Sequence, residues 1–343
     1  MPESEFTFAT LPDDDAERGV LEALNRGRAA QGLEPRSAAL WHWRTRENPD
    51  GACLGVARDA SGRLLAAIVG VRRRAILEGR PVVFLEIADV FNDFGAGRGL
   101  LRAKTYVALG EAFARAFGGP SGAGPTDGAP SKTSPLMWGV PTRRAHRIGL
   151  ARHGYEILRS ENRLATEVRR FAPGGALGVE LEDAQGFPSD IGGLFERFAR
   201  GRGAILARDA ARLDWRYARH PERRYRIALA RRAGELAGYA VSRLGAWGGE
   251  TGALLVDWCV PPEESGAASA LLAWAGSLAR REGATRLVLN VPDKSPEWAF
   301  FQDRGLRVFG TDEVLVFRGF RKPYVMSWLF ANWFYTLGDG ERG

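Results

Sequence analysis

Trp43-Arg44-Thr45-Arg46-Glu47-Asn48-Pro49 and Trp215-Arg216-Tyr217-Ala218-Arg219-His220-Pro221 share the pattern Trp-Arg-x4-Pro, and this recurrence governs how the rest of the chain reads. Upstream of each, a helical stretch carries Arg-Gly-Arg, at Arg26-Gly27-Arg28 and at Arg200-Gly201-Arg202. Downstream, an apolar run ends in Asp89 in the first copy and in Asp257 in the second. Gly139-Val140-Pro141 and Asn290-Val291-Pro292 then lead into helical stretches that close on Gly154-Tyr155 and Gly305-Leu306. These landmarks keep one order at a spacing of about 150–170 residues, whereas solenoid repeats run roughly 20–50 residues. The chain therefore reads as a duplicated domain. Function is to be sought in what differs between the copies.

The length of 343 residues suits two domains, each large enough for its own core. With 45% hydrophobic and 26% charged residues, the composition is that of a soluble globular protein. No apolar run approaches the ~20 residues of a membrane span. The start, Met1-Pro2-Glu3-Ser4-Glu5, lacks the basic-then-apolar pattern of a secretory signal, so a cytoplasmic location is expected. Cys53 and Cys259 sit in apolar runs and read as buried small hydrophobes, without a disulfide framework. The net charge of +7 comes from arginines scattered over both copies. The denser groups (Arg72-Arg73-Arg74, Arg143-Arg144, Arg223-Arg224) are not interleaved with aromatics, so no nucleic-acid partner is expected.

Periodicity predicts a helix over 14–30, strands at Cys53–Arg58, Leu64–Arg73 and Pro81–Phe91, and a long helix over 100–117. The second copy repeats the order: strands Tyr225–Ala230, Leu236–Leu244 and Ala253–Val260, a helix Ala267–Glu282, then a strand Thr285–Val291. This is an α+β pattern, tandem domains each with a mixed, mostly antiparallel sheet flanked by helices. The expected division is a first domain 1–170 with a Gly/Pro-rich insertion at 118–135, a second domain 171–335, and a polar tail 336–343. The aromatic stretch 324–335 is expected to pack back onto the protein.

The copies differ most between the aspartate strand and the long helix. Copy one reads Phe94-Gly95-Ala96-Gly97-Arg98-Gly99-Leu100-Leu101, with Arg102 and Lys104 following. Glycines there let backbone N–H groups converge on an anion, and the helix N-terminus adds partial positive charge. Copy two has Ser265-Gly266-Ala267-Ala268-Ser269-Ala270, preceded by Glu263 and Glu264, whose charges would repel a phosphate. The order of elements, with a glycine segment opening the central helix, resembles the GNAT-type acyl-CoA-dependent acyltransferase superfamily. The Trp-Arg-x4-Pro element and the ending Trp328…Trp333…Gly338-Asp339 look like its bacterial two-domain branch. Set against the superfamily's Arg/Gln-x-x-Gly-x-Gly/Ala loop, Ala96 stands where the cation is usual, Gly99 matches the glycine with Gly97 beside it, and Leu101 replaces the last small residue.

The resemblance implies that acetyl-CoA is the co-substrate, without a metal, held by Val90, Phe91, Gly95, Gly97, Arg98, Gly99, Leu100 and Arg102 of copy one. It implies N-acetyl transfer to a small-molecule or peptide amine by direct attack in a ternary complex. The base is expected on the fourth strand, where Glu86 and Asp89 stand three apart on opposite faces. Glu86 is special to copy one, whereas Asp89 recurs as Asp257, which suggests a structural duty. The usual acid, a Tyr four residues before the Gly-aromatic pair, is replaced by Leu150 and Phe301, with His146, His153 and Tyr155 nearby. Two other readings stay open: a non-catalytic acyl-CoA-binding or interaction protein, and a Fem-type aminoacyl transferase.

Overall fold

The computed structural model describes residues 5–93, 100–119, 133–171, 174, 178–320 and 326–340, and gives no side chains for residues 100–103 and 144. Its elements fall into two compact units.

The first unit opens with β1 (Glu5–Leu11), then α1 (Asp14–Glu17), α2 (Val20–Ala29) and α3 (Ala38–Thr45). The helix expected over 14–30 is thus two. Gly19, with φ of +71°, breaks it, and the Asp13 carboxylate caps α1 by accepting from the Ala16 N–H. Next come β2 (Ala52–Arg58), β3 (Leu64–Leu77), β4 (Arg80–Asn92), α4 (Leu100–Phe117), β5 (Leu136–Gly139), α5 (Arg143–Arg152) and β6 (Glu156–Glu167). Strand alternation gives the sheet two buried faces. Leu54, Val56 and Val69 pack with Val20, Leu24 and Trp41, whereas Cys53, Ala57 and Ile68 pack with Tyr106, Leu109 and Phe113 of α4.

The second unit holds β7 (Glu180–Ala184), α6 (Ile191–Ala199), β8 (Ala204–Leu206), α7 (Ala210–Leu213), β9 (Arg226–Arg232), β10 (Glu235–Trp247) and β11 (Glu250–Cys259). It continues with α8 (Ser265–Arg281), β12 (Arg286–Leu289), α9 (Pro296–Gln302) and the start of β13 (Arg307–Gly319). Its sheet runs β7-β9-β10-β11-β12, antiparallel apart from the parallel β11–β12 pair. A single core joins α6 and α8 to this sheet.

The last strand of each copy serves the other copy's sheet. β6 follows α5 of copy one, yet Leu164–Glu167 pairs antiparallel with β12. β13 follows α9 of copy two, yet Val316–Gly319 pairs antiparallel with β5. The units therefore do not divide at 170/171: residues Ser160–Glu313 belong to the second unit and Val314–Met326 to the first. Sequence order misses this because strand pairing is a matter of register, not adjacency. A fragment cut after residue 170 is expected to fail to fold, since the β5 edge then loses its partner. Circular dichroism of fragment 1–170 checks this; a cooperative native-like melt would contradict the exchange.

The stretch expected to be a polar tail is buried where it is described: Thr336, Leu337 and Asp339 are all under 9% exposed. Arg208 and Arg216 hold it, through Asp339 and through the Gly338 and Gly340 carbonyls. Of the aromatic stretch, Leu329, Trp333, Phe334 and Tyr335 are buried, and Trp333–Phe334 forms a short strand, β14, parallel to β8. Most of the 118–135 insertion lies outside the described residues. Among the described residues no helix is long and apolar enough to cross a membrane.

Candidate active site

β4 and β5 run parallel and pair only at Leu85↔Met137 and Glu86↔Trp138. β5 ends one residue later, at Gly139, still against the Ile87 carbonyl, while β4 runs on to Asn92, and this end of the pairing is the splay of the two strands. A cavity of about 20 Å³, room for a water or two, lies at this splay. Ile87 and Val90 of β4, Met137 of β5, and Tyr106 and Gly110 of α4 line it, together with His153, Tyr155 and Arg318. Val90 is 39% exposed, so the pocket reaches the surface there. Arg318 comes from β13, the exchanged strand.

His153 follows α5 directly and is buried, with neither ring nitrogen hydrogen-bonded. Its Nδ1 lies 3.7 Å from Glu111 Oε1, and Glu111 in turn accepts two bonds from Arg318, at 2.9 and 3.2 Å. Hydrogen bonding to Arg318 holds the Glu111 pKa below its usual value. Burial lowers that of His153 below 6.5, opposed by Glu111. Burial also pushes the Tyr155 phenol up to about 12 and raises Tyr106 further. Close approach to α4 is possible because position 110 has no Cβ; one there would lie 2.7 Å from His153 Nδ1.

The corresponding region of the second unit holds large buried side chains. β11 and β12 pair over four positions, from Gly252↔Arg286 to Leu255↔Leu289. Beyond them Val256, Trp258, Cys259, Val291, Phe301 and Leu306 are all buried in one core, with Trp258 and Phe301 edge-on at 5.1 Å. Asn290, next after β12, donates to the buried Glu161 carboxylate, which also accepts from Tyr335 Oη at 2.6 Å and Arg163 Nη1 at 3.0 Å. Glu264 stands at the N-terminus of α8, tied to Arg232 at 2.8 and 3.0 Å. A carboxylate already neutralises that helix end. Counting from Gly154 and Gly305, His153 corresponds to Arg304, whose guanidinium stacks 3.7 Å over Phe300.

The residues proposed from sequence fall in different places. Gly95, Gly97, Arg98 and Gly99 lie outside the described residues, as do the side chains of Leu100 and Arg102; α4 begins at Leu100. Val90 lines the pocket. The Phe91 side chain packs instead into the core under α2 and α3, leaving only its backbone for a ligand. Glu86 is 4% exposed and accepts from Arg73 Nε and Nη2 at 3.1 and 2.6 Å. Asp89 is buried between Arg36, at 2.9 Å, and Arg44. Glu86 is thus held by Arg73, and Asp89 by Arg36 and Arg44. Both thiols are buried; burial pushes Cys53 up to about 12 and Cys259 higher still, so neither supplies a thiolate at neutral pH.

Asp89 and Asp257 share one arrangement. Arg36 and Arg208 each stand seven residues before the Trp of the Trp-Arg-x4-Pro element, and each reaches the aspartate of its own copy. This spacing was open to view in the sequence. The Arg-Gly-Arg landmark, by contrast, is not equivalent between copies. Arg26-Gly27-Arg28 is inside α2, while Arg200-Gly201-Arg202 forms a turn after α6 with Gly201 at φ +76°.

No protein-family model matches the sequence, and no curated protein matches it. Solved structures do. A GCN5-related N-acetyltransferase from Anabaena variabilis is similar at a TM-score of 0.63 and 13% identity, over 92% of this chain and 73% of that one. A probable N-acyltransferase from Enterococcus faecalis gives a TM-score of 0.62 at 11% identity, over 92% and 73%. A tandem GNAT protein from the clavulanic acid biosynthesis pathway gives 0.52 at 16% identity, over 92% of this chain and 99% of its own. At these identities the likeness is one of architecture: the chain has the tandem GCN5-related N-acetyltransferase fold.

Proposed function

We propose that the protein is an N-acyltransferase that takes an acetyl group from acetyl-CoA and passes it to an amine. The observation that carries this reading is the asymmetry of the two splays. In the first unit a pocket with titratable walls lies beside the end of the β4–β5 pairing. In the second, Trp258 and Phe301 are buried together beyond the β11–β12 pairing, and Asn290 binds the Glu161 network.

Acetyl-CoA would enter the first unit, its pyrophosphate at residues 94–99 and the start of α4, its thioester toward Val90. Helix dipole and N–H groups favour the anion there, and in the second unit Glu264 disfavours it. The amine nitrogen attacks the thioester carbonyl directly, because neither thiol is ionised to form an acyl-enzyme. Glu86 and Asp89 were the carboxylates expected as bases. Asp89 repeats as Asp257 in the second unit and so is better read as a strut, while Glu86 is bound by Arg73 and is not among the residues lining the pocket.

Replacing Gly97 and Gly99 together by leucine is expected to weaken acetyl-CoA binding at least ~100-fold, as loss of several charge-assisted N–H contacts would. Titration calorimetry measures it. Unchanged affinity would move the coenzyme elsewhere.

A further inference from the structure

Four observations converge on one residue of the pocket. His153 is buried, it lines the splay, both of its nitrogens lack a hydrogen-bond partner, and α4 keeps a glycine where its ring lies. A buried polar ring without a protein partner is costly unless water or a ligand satisfies it, and this ring lines a cavity with room for one. The acidic partner is at hand on one side only, Glu111 at 3.7 Å, anchored by Arg318. Copy two has Arg304 at this position and no such group. The position four residues before Gly154, where the resemblance implies a tyrosine, holds Leu150, 42% exposed.

We propose that His153 is the proton carrier of the splay site, with Glu111 as the positioning residue that steadies the imidazolium. This rests on the acyltransferase reading above. Neutral imidazole accepts the proton released as the amine nitrogen bonds to the thioester carbonyl carbon. When the tetrahedral adduct collapses, the carbon–sulfur bond breaks, sulfur keeps the electron pair, and the same proton passes from imidazolium to sulfur. The products are the amide and the free thiol, and the histidine returns to its neutral form. One residue thereby does the work of a separate base and acid. The charged and titratable groups facing the ring are Glu111 and Tyr106 from α4, Tyr155 just before β6 and Arg318 from β13.

The test uses the full chain with labelled histidine, of which there are four. H42Q, H146Q and H220Q assign the His153 resonance by elimination, since those residues lie outside the pocket lining. Titrations are recorded free, with CoA, and with desulfo-CoA, while calorimetry reports binding. The expected result is that CoA displaces the His153 titration midpoint and desulfo-CoA leaves it as in the free protein. Equal responses to both ligands, or none while CoA binds, would overturn the proposal but leave the acyltransferase reading standing. Absence of CoA binding would overturn that reading and the proposal with it. In turnover over an amine panel, H153Q is expected to lower kcat ~10²–10⁴-fold at unchanged CoA affinity. E111Q should move the acidic limb of the pH profile without altering the bound state.

Discussion

Asp257→Ala is expected to destabilise the second unit by about 3–5 kcal/mol, the usual cost of removing one partner of a buried ion pair. The carboxylate accepts from Arg208 at 3.1 and 3.3 Å, from Tyr239 Oη at 2.9 Å, from Thr336 Oγ1 at 3.0 Å and from the Trp258 N–H at 2.9 Å. Burial opposes its ionisation, but Arg208 and these donors hold its pKa below the usual carboxylate value. Removing it leaves the Arg208 guanidinium, 1% exposed, with Asp339 as its remaining carboxylate, and loosens residues 336–340 through Thr336. Thermal and urea unfolding of the variant measure the loss. A change below about 1 kcal/mol would mean that water reaches the site and compensates.

Gly110→Ala sets two effects against each other. Alanine in a helix interior is worth about 1 kcal/mol over glycine. Against that, the new methyl would fall inside the His153 ring, with Nδ1 at 2.7 Å and Nε2 at 3.0 Å. Overpacking of this kind costs about 1–3 kcal/mol, and a rigid ring cannot yield as a flexible chain end does. The clash should win, giving a net loss of stability together with loss of acyl transfer as His153 leaves the pocket. Gly193→Ala in α6 is the control, because its added Cβ meets nothing within 4 Å; that variant should gain about 0.5–1 kcal/mol. If the two variants behave alike, His153 does not pack on Gly110.

Much of the architecture was legible. The recurrence of Trp-Arg-x4-Pro and of the aspartate-ended strands marked the duplication, and the central strands lie within a few residues of where alternation put them. Buried strands advertise themselves because period-two apolar patterning is their own requirement. β1 and β7 were not foreseen: both are edge strands, with largely exposed faces and hence little patterning. The buried ending at 336–340 also escaped, since Gly338-Asp339-Gly340 is polar by composition and becomes interior only because Arg208 and Arg216 satisfy it.

The candidate site rests on the sequence only in part. Comparison of copies pointed to copy one, and Glu263-Glu264 to the closed helix end of copy two. His153 had no pattern to recommend it above three other histidines, and what distinguishes it is geometric: burial without a partner, beside a glycine of a different helix.

The sequence by itself determined that the fold occurs twice, that the copies are chemically unequal, and which local elements form, because periodicity, capping and charge act over a few residues. Only the tertiary structure decided that the last strands are exchanged, that Arg318 of copy two's strand serves copy one's pocket, and that His153 lines a small cavity there. Those outcomes depend on which distant segments share hydrogen bonds and volume, and short-range patterning along the chain carries no record of such pairings.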